Sequence, residues 1–145
     1  MKHLKTYETI SEDIKRGDIL VDENDRQYES TVYLVLDDVN RSDRKINVFE
    51  IGNFKYDDFS FMIKDIHMGK KNTSHIYKGV GLRLVNEKEK LNIVKNIYSR
   101  IDNRYFVELL NNLKIKTGFD IRSIPEYVEH IERIKMENDA KKYNI

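Results

Sequence analysis

The order of apolar and polar positions divides the chain into two parts. Up to residue 85 the apolar residues come in short runs or alternate, which is the period of strands. From residue 86 onward they recur every three or four positions, which is the period of helices. Asp18 to Asp22 predicts a short strand, and Glu23 to Arg26 a turn, because Asn24 and Asp25 satisfy their own backbone. Tyr28 to Asp37 is the strongest strand. Its core, Val32 to Leu36, is apolar on both faces and predicts a central position. In Lys45 to Ile51, Ile46 and Val48 fall on one face, with Asn47, Phe49 and Ile51 on the other. Gly52-Asn53 reads as a turn. Phe59 to Ile66 predicts a further strand, and short ones near Ile76-Tyr77 and Gly81 to Val85 complete the first part. Residues 38–44 and 67–74 read as loops, and Ser11 to Ile14 as a helical turn stopped by Gly17.

The second part carries its own punctuation. Asn86 and Glu89 have the spacing of a capping box, ahead of a helix from Glu87 to Ile101 with Leu91, Val94, Ile97, Tyr98 and Ile101 on one stripe. A second helix runs from Arg104 to Lys116 on Phe106, Leu109, Leu110 and Leu113, with Gly118 at the left-handed cap. Ser123, Pro125 and Glu126 predict the start of a third, with Tyr127, Val128, Ile131 and Ile134 along it. This helix is also a candidate dimerisation element. The expected fold is α+β: a small, bent antiparallel β-sheet or SH3-like barrel, then two or three packed α-helices that cover it. Residues 1–85 and 86–145 are expected to form one compact domain.

Composition narrows the function classes. At 145 residues the chain can bury a real core without a staple. It has no Cys, which excludes disulfide scaffolds, thiol catalysis and Cys-based zinc sites. The longest apolar runs are a few residues, where a membrane span needs about 20. No apolar stretch follows Lys2 and Lys5, so no signal peptide is expected, and the predicted location is the cytoplasm. A single Ala, Ala140, beside an excess of Ile, Lys and Asn fits an AT-rich source such as a low-GC bacterium or its phage.

The net charge of +1 hides an uneven distribution. Asp18 to Ile66 holds 12 acids and 6 bases, and His67 to Arg122 holds 12 bases and 5 acids. This suggests a basic binding surface for nucleic acid or an acidic partner, or two solvated faces. Its candidate residues are Lys70 and Lys71 in the Gly-Lys-Lys loop, then Lys78 and Arg83, with phosphate-backbone contact as their chemistry. No P-loop is present, since Lys64 stands where its first Gly would be. Phe54 and Tyr56, interleaved with Lys55, could form a stacking platform for single-stranded nucleic acid.

Catalytic constellations are thin. His67 and His75 flank the basic loop and could act as an acid–base pair in RNA cleavage, or join Asp65 on a metal. The simpler placement of all four histidines, His3 and His130 included, is the surface. Asp37-Asp38, Asp57-Asp58, Glu50 and Asp65 are the carboxylates a metal-dependent nuclease would use, without a diagnostic spacing. Gly17-Asp18-Ile19-Leu20 followed by Tyr33-Leu34-Val35-Leu36 resembles the opening of small SH3-like barrels, among them ribonuclease toxins of the MazF/PemK type. Ser30-Thr31 and Glu50-Ile51-Gly52 stand where that family has Arg-Pro and Pro-x-Thr, so no catalytic residue carries over.

The expectation is therefore a non-enzymatic binding or regulatory protein, plausibly phage-encoded, that occupies a protein or nucleic-acid partner. It needs no cofactor, metal or membrane and is a possible homodimer. The alternatives are a nuclease and a virion or assembly component.

Overall fold

The computed structural model describes residues 13–23, 29–55, 61–64 and 73–143. The chain forms two compact units, residues 1–86 and 87–145. The first is an antiparallel sheet of six strands: β1 (Ile19–Asp22), β2 (Glu29–Val35), β3 (Lys45–Lys55), β4 (Phe61–Ile63), β5 (Thr73–Tyr77) and β6 (Leu82–Leu84). The second holds α1 (Glu87–Ser99), α2 (Arg104–Thr117), a 3-10 turn (Ile121–Ser123) and α3 (Pro125–Tyr143). The fold is α+β.

The strand order is β6-β1-β2-β3, with β4 and β5 following one another along the far edge of β3. The sheet does not close, because β5 and β6 are not paired. It must nevertheless curl. In a flat sheet four strand spacings, about 19 Å, would separate β5 from β6. Only residues 78–81 join them. Five Cα steps of 3.8 Å would reach that far only if fully extended. This link is folded instead: Leu82 N–H donates to the Gly79 carbonyl, and Gly81 takes a φ of 90°. The inner side of the curl gathers Leu20, Tyr33, Val35, Ile46, Val48 and Leu82, with Ile14 and Val39 from the flanking segments, into one buried cluster.

β2 is buried from Ser30 to Val35, on both faces, as its apolar run predicts for a central strand. β3 differs from expectation. It continues through Gly52-Asn53 to Lys55 instead of turning there. The register slips between Val32 and Tyr33, leaving Ile51 as an extra residue, so the strand bends rather than stops. Beyond the slip, Gly52 lies beneath β4: a Cβ there would collide with the Met62 carbonyl and sit 2.9 Å from the Phe61 ring. Glycine is required here for close approach. Ile14 is not helical. It bridges Val39 and is 1% exposed.

In the helical unit, α2 matches its pattern. The Asn103 side chain accepts from Phe106 N–H, and the Gly118 N–H, at φ 73°, donates to the Lys114 carbonyl. α1 ends at Ser99, and its buried stripe is Glu89, Ile93, Val94 and Ile97, with Leu91 and Tyr98 half-buried. α3 begins at Pro125, after Ile124. Ser123 belongs to the preceding turn, where its hydroxyl donates to the Asp120 carbonyl. Glu126 pairs with Lys90 at 3.1 Å. Tyr127 and His130 are the buried side chains of α3, while Val128 and Ile131 stay exposed. No helix among the described residues is long and apolar enough to cross a membrane.

Candidate functional site

Lys70, Lys71 and Tyr56 lie outside the described residues, as do His67, Asp65 and Asp57-Asp58. The remaining predicted binding residues are Lys55, Lys78 and Arg83. Lys55 is exposed at the end of β3, opposite Glu29, and two strands separate it from Arg83 on β6. Arg83 donates to Glu23 Oε1 from Nε and Nη2, at 2.9 and 2.8 Å, and from Nη1 to the Leu84 carbonyl at 3.3 Å. Lys78 Nζ donates to the Asn40 and Arg41 carbonyls at 2.9 and 3.5 Å. Both cations are thus engaged within the fold. Phe54, half of the expected stacking platform, is 1% exposed and packs its ring 5.6 Å from that of Phe61. Burial of a large apolar ring outweighs its neighbours' polarity.

Counted by compact unit, the charge is close to balanced. Residues 1–86 hold 14 bases and 15 acids, and residues 87–145 hold 12 and 10. The acidic window lies within the first unit, and the basic window spans the boundary between the two.

The carboxylates are structural or solvated. Asp37 accepts from the Asn47 amide, Asp38 from the Arg16 N–H, and Glu50 pairs with Lys64 at 2.6 Å. No three His, Asp or Glu side chains among the described residues are grouped to hold a metal.

What the fold does assemble is a surface around β5. The strand begins at Thr73, three residues before its predicted start, because Thr73 and Ser74 join the ladder with Phe49 and Val48. Alternation sends Ile76 to the core cluster and Thr73, His75 and Tyr77 to the opposite face. His75 and Tyr77 meet edge to face, ring centroids 5.7 Å apart and planes at 88°. Tyr77 remains 64% exposed, and Val80 follows it into solvent. Beside this pair opens a polar cleft of about 410 Å³ lined by Leu36, Asp37, Asn47, Thr73, Ser74 and His75. In the sequence the only trace of this site is the alternate placement of Thr73, His75 and Tyr77, which the loop-like Thr73-Ser74 masks.

His130 behaves unlike a surface histidine. It is 9% exposed, stacks edge-on against Tyr98 at 5.3 Å, and its Nδ1 has no hydrogen-bond partner. Burial, then the charges of Arg133 and Lys95, hold its pKa below the usual value, against the weaker opposing pull of Glu137. The folded state therefore disfavours the charged ring. Its contribution to stability is complete above the unfolded pKa of about 6.5 and is lost as pH falls through the lower folded value. Urea midpoints of the wild-type chain should decline between about pH 7.5 and 5, and His130→Phe should flatten that decline. An equal decline in both would refute the assignment. Asp120 titrates in a different window. Its burial would raise the pKa, but two hydrogen bonds and the charge of Arg122 bring the net value below normal, so its contribution fades only in stronger acid.

Comparison with protein-family models, curated proteins and solved structures gives no match.

Proposed function

We propose that this chain is a non-enzymatic binding module that acts by occupying a partner polypeptide through the outer face of β5. The observation that carries this reading is Tyr77. A large aromatic side chain is held 64% exposed on a strand, braced by His75, next to a polar cleft. Tyrosine presents wide contact area at low entropic cost and is enriched among the residues that dominate interfaces. The internal engagement of Lys78 and Arg83 argues against a phosphate-binding role for these two. A regulatory role and a phage or low-GC bacterial origin remain compatible with this reading, as does action in the cytoplasm.

The test is affinity capture from source-cell lysate with the wild-type chain and Tyr77→Ala in parallel. It is accompanied by retention and cleavage assays on RNA, single-stranded DNA and duplex DNA at low and high salt, with and without chelator. The expected result is a protein captured by the wild type and bound at least about tenfold more weakly by the variant, with no cleavage. Salt-steep retention of nucleic acid would overturn the reading. So would RNA cleavage abolished by His75→Ala, which would instead favour a nuclease built on the cleft.

A further inference from the structure

The open edge of β5 carries a more specific inference, which rests on the polypeptide-binding reading above. We propose that the partner contributes an extended segment that adds to β5 as a further antiparallel or parallel strand.

The backbone geometry points this way. Lys78 N–H donates to the Arg44 carbonyl, and the same register pairs Ile76 with Ile46 and Ser74 with Val48. In an antiparallel ladder hydrogen-bonded pairs alternate with non-bonded ones. Residues 74, 76 and 78 therefore direct their backbone groups at β3, and the N–H and C=O groups of Thr73, His75 and Tyr77 point away from it. The partner strand confirms the phase. Leu36 N–H donates to the Asn47 carbonyl, so Asn47, opposite His75, turns its backbone toward β2. No described strand pairs with the outward side of β5. It offers three N–H and three C=O groups in strand geometry.

This edge lacks the devices that normally blunt one. Natural edges carry lysine, proline, inward charges or bulges. Thr73 to Tyr77 has no charged residue and no proline, and its pairing with β3 has no register shift. Its threonine, isoleucine and tyrosine are strand-favouring types. A covering strand would satisfy the six groups and place every second side chain beside Tyr77, His75 and the cleft. Specificity would arise there, while the main chain supplies affinity. Asp37 lines that cleft and favours a hydrogen-bond donor or a cation on the incoming segment. The occupant is thus an extended, proline-free segment with a donor or basic side chain at one position and an apolar one against Tyr77.

Proline scanning tests the edge selectively. At position 75 the N–H points outward, so His75→Pro removes a docking donor while leaving the β3 ladder bonds in place. The full-length chain is panned against a library of random linear peptides, and the enriched peptides are titrated against wild type, His75→Pro and Tyr77→Ala. The expected result is enriched peptides that lose at least about tenfold affinity for His75→Pro, whose urea midpoint stays near wild type. N-methylation of alternate residues in those peptides should cause the same loss. If His75→Pro proves unfolded, Thr73→Lys supplies a blocking charge on a folded edge and should weaken binding likewise. Peptides that weaken with Tyr77→Ala but ignore the edge variants would overturn strand addition and leave the polypeptide-binding reading intact. Failure to enrich any peptide would overturn strand addition, with the capture and nucleic-acid assays then deciding the broader reading. Self-association abolished by His75→Pro would reassign the edge to a second copy.

Discussion

Phe49→Ala is expected to lower unfolding free energy by about 3–5 kcal/mol, the range for truncating a buried phenylalanine. Phe49 is 0% exposed and lies on the face of β3 that also carries Asn47, beside Leu34 of β2 and Thr73 of β5. That face is not a wet face. Ile19, Val21, Val32 and Leu34 are buried there too, so truncation opens a cavity rather than a dent in the surface. Tyr77→Ala, on the same face but mostly exposed, should stay within about 0.5 kcal/mol. Chemical denaturation of the two variants measures the contrast. Similar small losses for both would mean that Phe49 contributes no more than a surface ring.

Gly52→Ala should cost about 1–3 kcal/mol although it adds one methyl group. The new Cβ has two obstacles, the Met62 carbonyl and the Phe61 ring. The carbonyl belongs to the β3–β4 ladder, where Asn53 pairs with Met62, and cannot yield without parting the strands. The ring is fixed against Phe54. Gly79→Ala is the internal control. Its Cβ would meet nothing closer than the Tyr77 carbonyl at 3.9 Å, and the change should stay within about 0.5 kcal/mol. Equal urea midpoints for Gly52→Ala and wild type would show that β4 lifts away freely.

These two positions also mark the limits of reading the sequence. Periodicity placed Phe49 opposite Ile46 and Val48, because side-chain alternation depends only on the strand existing. It misread Gly52-Asn53, where a dipeptide that usually punctuates serves a close approach inside a long strand. The central position of β2 was legible in its unbroken apolar run. The extended β5 was not, since Thr73-Ser74 resembles loop chemistry until Phe49 and Val48 stand opposite. In the helical unit Gly118 announced the end of α2 by local geometry alone, whereas the Asn103 cap at its start was not read from the sequence. Ser123 was a false cap, because it closes the 3-10 turn and its hydroxyl donates back to the Asp120 carbonyl instead of accepting from α3. The candidate site was the least legible part. Charge counted along the chain weighted Lys78 and Arg83, yet their availability depends on Asn40, Arg41 and Glu23, which are distant in sequence. The exposed rings of β5 needed the strand before they could be seen as a surface.

Lys78 has a consequence for how this unit breathes. Its ammonium is clamped by two carbonyls from the β2–β3 connection, and its backbone N–H by Arg44 at the end of that connection. The β5–β6 turn and the segment around Asn40 are therefore latched by one side chain. Opening at either place costs the other these hydrogen bonds, so amide exchange is expected to report the two segments as one unit of protection rather than two independently fraying loops.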